Sequence, residues 1–216
     1  MTLQDRLDRL RRREDDAGHA AWRAFVDQLG KAHSVEGALK VGDAMPPFVL
    51  PNAEGRLVAS DELLAEGPLV ISFYRGDWCP YCRAMLAALQ AVRPRIAAAG
   101  GRLVALTPDS GGRPLANKRR QRLTFEVLSD TDYAVGLQFG VVFQVPEAYR
   151  RRLAAAGINL PERHGSGGWL IPMPATFVAD RGDIIRYAFV DGDFTRRAEP
   201  GAIVAVLHEL AGAGRP

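Results

Sequence analysis

Apolar positions along the chain alternate between a helical and a strand period. Leu3, Leu7 and Leu10 share one helical face behind Thr2, with Asp5 three residues on as a capping-box partner. Trp22, Phe25, Val26 and Leu29 resume that spacing after a polar break, so residues 1 to about 36 predict one or two amphipathic helices. Turn formers crowd Gly42 to Gly55, where Phe48-Val49-Leu50 and Arg56-Leu57-Val58 flank Asn52-Ala53-Glu54-Gly55 as a short hairpin at a sheet edge. Ser60 is placed to cap a helical turn through Leu64.

From Pro68 the rhythm changes. Leu69 to Tyr74 is a continuous apolar run, the mark of a strand buried on both faces. Arg83 to Ala98 reads as an Ala- and Leu-rich helix ended by Gly100-Gly101. Arg102–Thr107 and Glu126–Ser129 follow as strands, with a helix near residues 115–122 between them. Strands alternating with helices predict a mostly parallel sheet with right-handed crossovers. Residues 133–168 interrupt the alternation as an insertion, with helical patterns over 133–139 and 146–155. Ala175–Asp180 and Ile184–Phe189 then form a hairpin about Arg181-Gly182, and a helix from Pro200 closes the chain. The pattern divides the chain into an N-terminal helical extension, 1–38, and a main domain, 39–216. The extension reads either as a segment packed on its own domain or as a dimerisation arm that would make a homodimer.

Composition narrows the function classes. Hydrophobic residues make up 47% of the 216 positions and charged residues 25%, as in a globular protein with a sizeable core. The net charge is +3, and the basic clusters at Arg11-Arg12-Arg13, Lys118-Arg119-Arg120, Arg150-Arg151-Arg152 and Arg196-Arg197 lack interleaved aromatics. They read as solvated faces rather than a nucleic-acid surface, and Arg196-Arg197 with Glu199 as a surface ion-pair cluster. No apolar run is long enough for a membrane span, and the charged first 16 residues lack a signal-peptide core. The expectation is a cytoplasmic protein without membrane or nucleic-acid partners.

In that setting the two cysteines of Trp78-Cys79-Pro80-Tyr81-Cys82 point to chemistry rather than a structural staple. They follow a strand and open a helix, whose free N–H groups and positive dipole end favour thiolate over thiol. Pro80 suits the first helical turn, Arg75 and Arg83 add positive charge, and Trp78 and Tyr81 can shield one sulfur. A zinc site would need more ligands, yet His19, His33, His164 and His208 are scattered. Neither metal nor cofactor is expected. Asp77 reads as a solvated turn residue or a proton relay, His164 as a loop residue, and Trp169 as core or a lid.

The stretch from Phe73 to Cys82, Phe-Tyr-Arg-Gly-Asp-Trp-Cys-Pro-Tyr-Cys, resembles the peroxiredoxin-like group of the alkyl hydroperoxide reductase/thiol-specific antioxidant family. The likeness runs from Val41 to Pro200 and includes Met173-Pro174-Ala175-Thr176-Phe177. It implies a thioredoxin-like α/β fold, a central mixed sheet flanked by helices. It also implies an antioxidant thiol-disulfide oxidoreductase whose Cys79 and Cys82 cycle between dithiol and disulfide. Electrons would come from a thiol donor such as thioredoxin or glutathione, for a peroxide or disulfide substrate. Laid on the family's Pro-x-x-x-Thr-x-x-Cys motif, the peroxide-attacking cysteine falls at Cys82. Cys79 then replaces the threonine, Arg75 the proline, and Pro174 the arginine before the late strand. These departures resemble thioredoxin, which implies a cis-proline at Pro174, an exposed nucleophile at Cys79 and a resolving Cys82. The alternatives are a thioredoxin-dependent peroxidase, with Cys82 attacking peroxide and Cys79 resolving, and a non-catalytic redox sensor.

Overall fold

The computed structural model describes residues 2–31 and 35–213, so His33 lies outside the described residues. Two helices, α1 (Leu3–Arg11) and α2 (Asp16–Lys31), come first. The capping box forms as the spacing requires: the Thr2 hydroxyl accepts the Asp5 N–H at 3.1 Å, and the Asp5 carboxylate accepts the Thr2 N–H at 2.8 Å. Glu199 strengthens the same helix end by accepting the N–H groups of Leu3 and Gln4, at 3.3 and 2.8 Å. Leu3 and Leu7 are buried where α1 meets α4 (Pro80–Ala98), so this segment packs on its own chain.

The central sheet has five strands in the order β5 (Glu126–Ser129), β4 (Arg102–Thr107), β3 (Leu69–Phe73), β8 (Ala175–Ala179), β9 (Ile185–Val190). β3, β4 and β5 are parallel, joined through α4 and α5 (Arg113–Gln121). β8 and β9 run antiparallel, which makes the sheet mixed. Every residue of β3 is buried because the strand sits mid-sheet, which is why its sequence is one apolar run. Helix α4 stops at Ala99, where Gly100 takes φ +79° and the Gly101 N–H reaches the Ile96 carbonyl at 2.9 Å. The β8–β9 turn is closed by Asp180, whose Oδ1 accepts the N–H groups of Gly182 and Ile184. The closing helix is α9 (Pro200–Ala213).

The early hairpin, β1 (Val49–Pro51) with β2 (Leu57–Ala59), joins the β5 edge through the Ala53 N–H and the Val127 carbonyl at 2.8 Å. Ser60 departs from its expected role. It opens α3 (Ser60–Glu66) without capping it, and its hydroxyl accepts the buried Phe48 N–H at 3.0 Å. A buried N–H with no other partner is the stronger claim on that oxygen.

The insertion holds α6 (Ala134–Gln138), β6 (Val142–Gln144), α7 (Glu147–Ala155), α8 (Leu160–His164) and, just beyond residue 168, β7 (Leu170–Pro172). β6 and β7 pair antiparallel in a separate two-stranded sheet that the hydrophobic pattern does not reveal, since three residues carry too little alternation. Beneath it, Phe139 packs between Phe73 and Phe177, each ring centroid 5.1 Å away.

Candidate active site

Strand β3 delivers the chain into the site. Past Phe73 come buried Tyr74 and Arg75, then Gly76 at φ +138°. A side chain at Gly76 would meet Asp109 Oδ2 at 2.7 Å and the Trp78 indole at 2.7 Å, so glycine is required twice over. Cys79 is the N-cap of α4, Pro80 opens its first turn, and Cys82 lies within that turn. Both cysteines are free thiols, and both are buried, at 2% exposure for Cys79 and 1% for Cys82. The expected exposure of Cys79 is therefore corrected: side chains from other parts of the chain close over the helix start.

The charges around the sulfurs separate them. Burial opposes the Cys82 thiolate, but the Cys79 hydrogen bond and the guanidinium groups of Arg197 and Arg75 outweigh it, bringing this thiol down to about 6. Cys79 moves the other way: burial raises it first, and its hydrogen bond to Cys82 raises it further. Both shifts favour the negative charge on Cys82, with the Cys79 S–H directed at it.

Arg197 is the residue the sequence reading misplaced. It is buried rather than part of a surface cluster, and its Nη2 lies 3.8 Å from Cys82 Sγ. Its Nη1 donates to the carbonyls of Phe194 and Arg196, which aims the fork at the sulfur. Only Arg196 stays outside, paired with Asp191 at 3.0 Å, while Glu199 serves α1. No local pattern distinguishes Arg197 from the other basic doublets; only the fold brings it 115 positions back to Cys82.

Arg75 is 1% exposed, and none of its guanidinium nitrogens makes a well-formed hydrogen bond. Its charge lies instead over aromatic faces, 4.1 Å from the Phe194 ring centroid and 5.1 Å from Phe25. Tyr149 of α7 stands 4.6 Å from Phe25 and 6.1 Å from Phe194, so rings from three distant segments roof the site. Tyr81, between the cysteines, donates its hydroxyl hydrogen to Glu14 at 2.9 Å.

Asp77 is half-buried and held by arginines. Its side chain takes Arg120 at 2.6 Å and Arg163 of α8, and its carbonyl accepts Arg83 at 2.8 Å. Its own N–H donates to Asp109 at 3.1 Å, and Arg163 also binds Asp109 at 3.2 Å. Burial would raise the Asp77 carboxyl, but Arg120 and Arg163 outweigh it and hold the group below its ordinary range. His164 corrects another expectation: it ends α8 fully buried, with Nδ1 2.7 Å from the Tyr133 hydroxyl. Burial, then the charges of Arg163 and Arg113, push its imidazole down to about 4, so it is neutral. Trp78 and Trp169 are half-buried against the core.

Pro174 sits just ahead of β8, one step beyond the Phe73–Ala175 pair and so level with Tyr74. Its peptide bond is trans, as are all others among the described residues, which corrects the cis expectation. The chain arrives extended, because β7 pairs with β6 and the Met173 N–H bonds the Val141 carbonyl at 2.7 Å. Pro174 lacks the geometry that the thioredoxin likeness implied.

Comparison with known proteins agrees with this architecture. The model of the AhpC/TSA family matches residues 41–188. A putative peroxiredoxin bcp of Coxiella burnetii is 30% identical over 105 residues, covering 49% of this chain and 69% of the relative. A putative chloroplastic peroxiredoxin Q of Oryza sativa subsp. indica is 28% identical over 187 residues, covering 87% of this chain and 75% of the relative. Among solved structures, peroxidoxin BcpB from Mycobacterium tuberculosis superposes with a TM-score of 0.63 at 22% identity, over 82% of this chain and 99% of that one. Helices α1 and α2 precede the family match.

Proposed function

Since the chain belongs to the AhpC/TSA family and is a thiol-dependent oxidoreductase, we propose that it reduces hydroperoxides, with Cys82 attacking and Cys79 resolving. The observation that carries this order is the Cys82 sulfur beside Arg197, with its thiol brought down to about 6 while that of Cys79 is raised. At neutral pH Cys82 is the thiolate, and the thiolate is the nucleophile. It attacks the outer peroxide oxygen, the O–O bond breaks, and the departing alkoxide or hydroxide takes a proton. Cys82 is left as a sulfenic acid. The Cys79 sulfur then attacks Cys82, the S–S bond forms, and the sulfenic oxygen leaves as water. A thiol donor such as thioredoxin or glutathione returns two electrons and reopens the disulfide.

Arg197 supplies beside Cys82 a positive charge of the kind the family motif draws from the arginine that Pro174 replaces in this chain. In this reading Arg75 lowers Cys82 from the roof side, Trp78 packs beside the loop, and Pro174 lines the far edge. Residues 1–38 act as an extension to the domain, 39–216, that carries the chemistry. The cycle needs a reducing compartment, the cytoplasm in this reading; no helix among the described residues is long and apolar enough to cross a membrane.

The test is the pair of serine variants. Cys79→Ser is expected to consume one equivalent of peroxide and stop at a sulfenic acid that a 1,3-dione reagent traps. Cys82→Ser is expected to leave peroxide untouched. Trapping in Cys82→Ser but not in Cys79→Ser would reverse the assignment and restore exchange led by Cys79.

A further inference from the structure

Neither sulfur can be approached from solvent as the molecule stands, and one element of the aromatic roof beside them lies outside the family match. Helix α2 lowers Phe25 into the roof, where its ring sits 5.3 Å from Phe194, 4.6 Å from Tyr149 and 5.6 Å from Phe143. Phe25 is itself buried and lies 5.1 Å from the Arg75 guanidinium. The link between α1 and α2 places Glu14 on the Tyr81 hydroxyl, between the two cysteines. Trp22 then ties α2 to the segment carrying Phe194, its indole N–H donating to Asp193 at 2.9 Å. Buried Leu29 seats α2 alongside Phe25, while α1 is seated by buried leucines and a complete cap.

We propose that the N-terminal helices form the size filter of this site, and that Phe25 is its specificity-determining residue. The proposal rests on the peroxide chemistry assigned above. Hydrogen peroxide is little larger than a water molecule, so rotamer-scale opening of the ring cluster lets it pass. A hydroperoxide with a bulky tail needs the Phe25 ring displaced. A protein disulfide substrate needs the whole roof removed from the reduced site, because its sulfur must touch a sulfur that is 1–2% exposed in the dithiol form. The substrate class is therefore small hydroperoxides, and the ring cluster, rather than the cysteine pair, sets that limit.

The experiment compares second-order rates of Cys79–Cys82 disulfide formation with hydrogen peroxide and with cumene hydroperoxide. It uses the full chain, Phe25→Ala and Trp22→Phe, with insulin reduction as the macromolecular arm. In Phe25→Ala the preference for hydrogen peroxide is expected to fall by about 10-fold or more, the scale on which pocket shape discriminates. Trp22→Phe, which removes the hydrogen bond to Asp193 and keeps an aromatic ring, is expected to shift the ratio in the same direction by less. An unchanged ratio in both folded variants, or brisk insulin reduction by the unaltered chain, would overturn the proposal. Should Phe25→Ala fail to fold, Phe25→Leu takes its place under the same criterion. Failure of the unaltered chain to form the disulfide with either oxidant would sink the peroxide reading itself.

Discussion

At Cys82 two buried guanidinium groups act on one thiol, and the balance between desolvation and charge decides the chemistry. Arg197 touches the sulfur, whereas Arg75 acts from across the site with its charge spread over two rings. Replacing Arg197 with Met keeps most of the stem's volume and removes the nearer charge. The pH midpoint of Cys82 alkylation is then expected to rise from about 6 by one unit or more, toward the ordinary thiol value near 8.5. An unmoved midpoint would assign the shift to Cys79 and Arg75. The linkage has a definite sign: the folded value lies below the unfolded one, so the thiolate's stabilisation is full above about 8.5 and lost as pH falls through about 6. In the sequence the cysteines are plain, because strand, Cys-x-x-Cys and helix start are contiguous. Arg197 is not, since nothing within a few residues of it reports what lies 115 positions away.

Individual elements act mainly through what they hold. Helix α8 has five residues and would be marginal alone, yet Arg163 bridges Asp77 on the cysteine loop to Asp109 after β4. Burial raises the Asp109 carboxyl, and Arg163 is the first of the groups that draw it back. Arg163→Met is expected to cost about 1–3 kcal/mol by leaving Asp109 buried without its cation, read by urea unfolding. Adding Asp109→Asn should return part of that loss, and strictly additive costs would show that the two do not interact. Elements with local punctuation were legible in advance: the Thr2–Asp5 box, the Gly100-Gly101 stop and the Asp180–Asp183 turn all appear where the pattern placed them. β6, β7 and α8 were not, because three to five residues hold less than two periods of any pattern.

For the whole molecule, the order of strands matters more than any one of them. Placing β8 beside β3 brings Pro174 level with Tyr74, and the chain after β9 then folds Phe194 and Arg197 back over the helix start. The Phe73, Phe139 and Phe177 cluster locks the insertion onto this sheet. Phe139→Ala is expected to destabilise the protein by about 3–5 kcal/mol in chemical denaturation. A loss below about 1 kcal/mol would show that the cluster collapses around the gap instead of leaving a cavity. Hydrophobic period, caps and turns are short-range signals, so the sequence alone determined the alternating elements, the strand–Cys-x-x-Cys–helix junction and the family frame. Burial of both sulfurs, the charges that lower the Cys82 thiol and the trans bond at Pro174 belong to the tertiary structure. Each depends on groups from separate elements meeting at a few ångströms, where desolvation and Coulomb terms are large and nearly opposed.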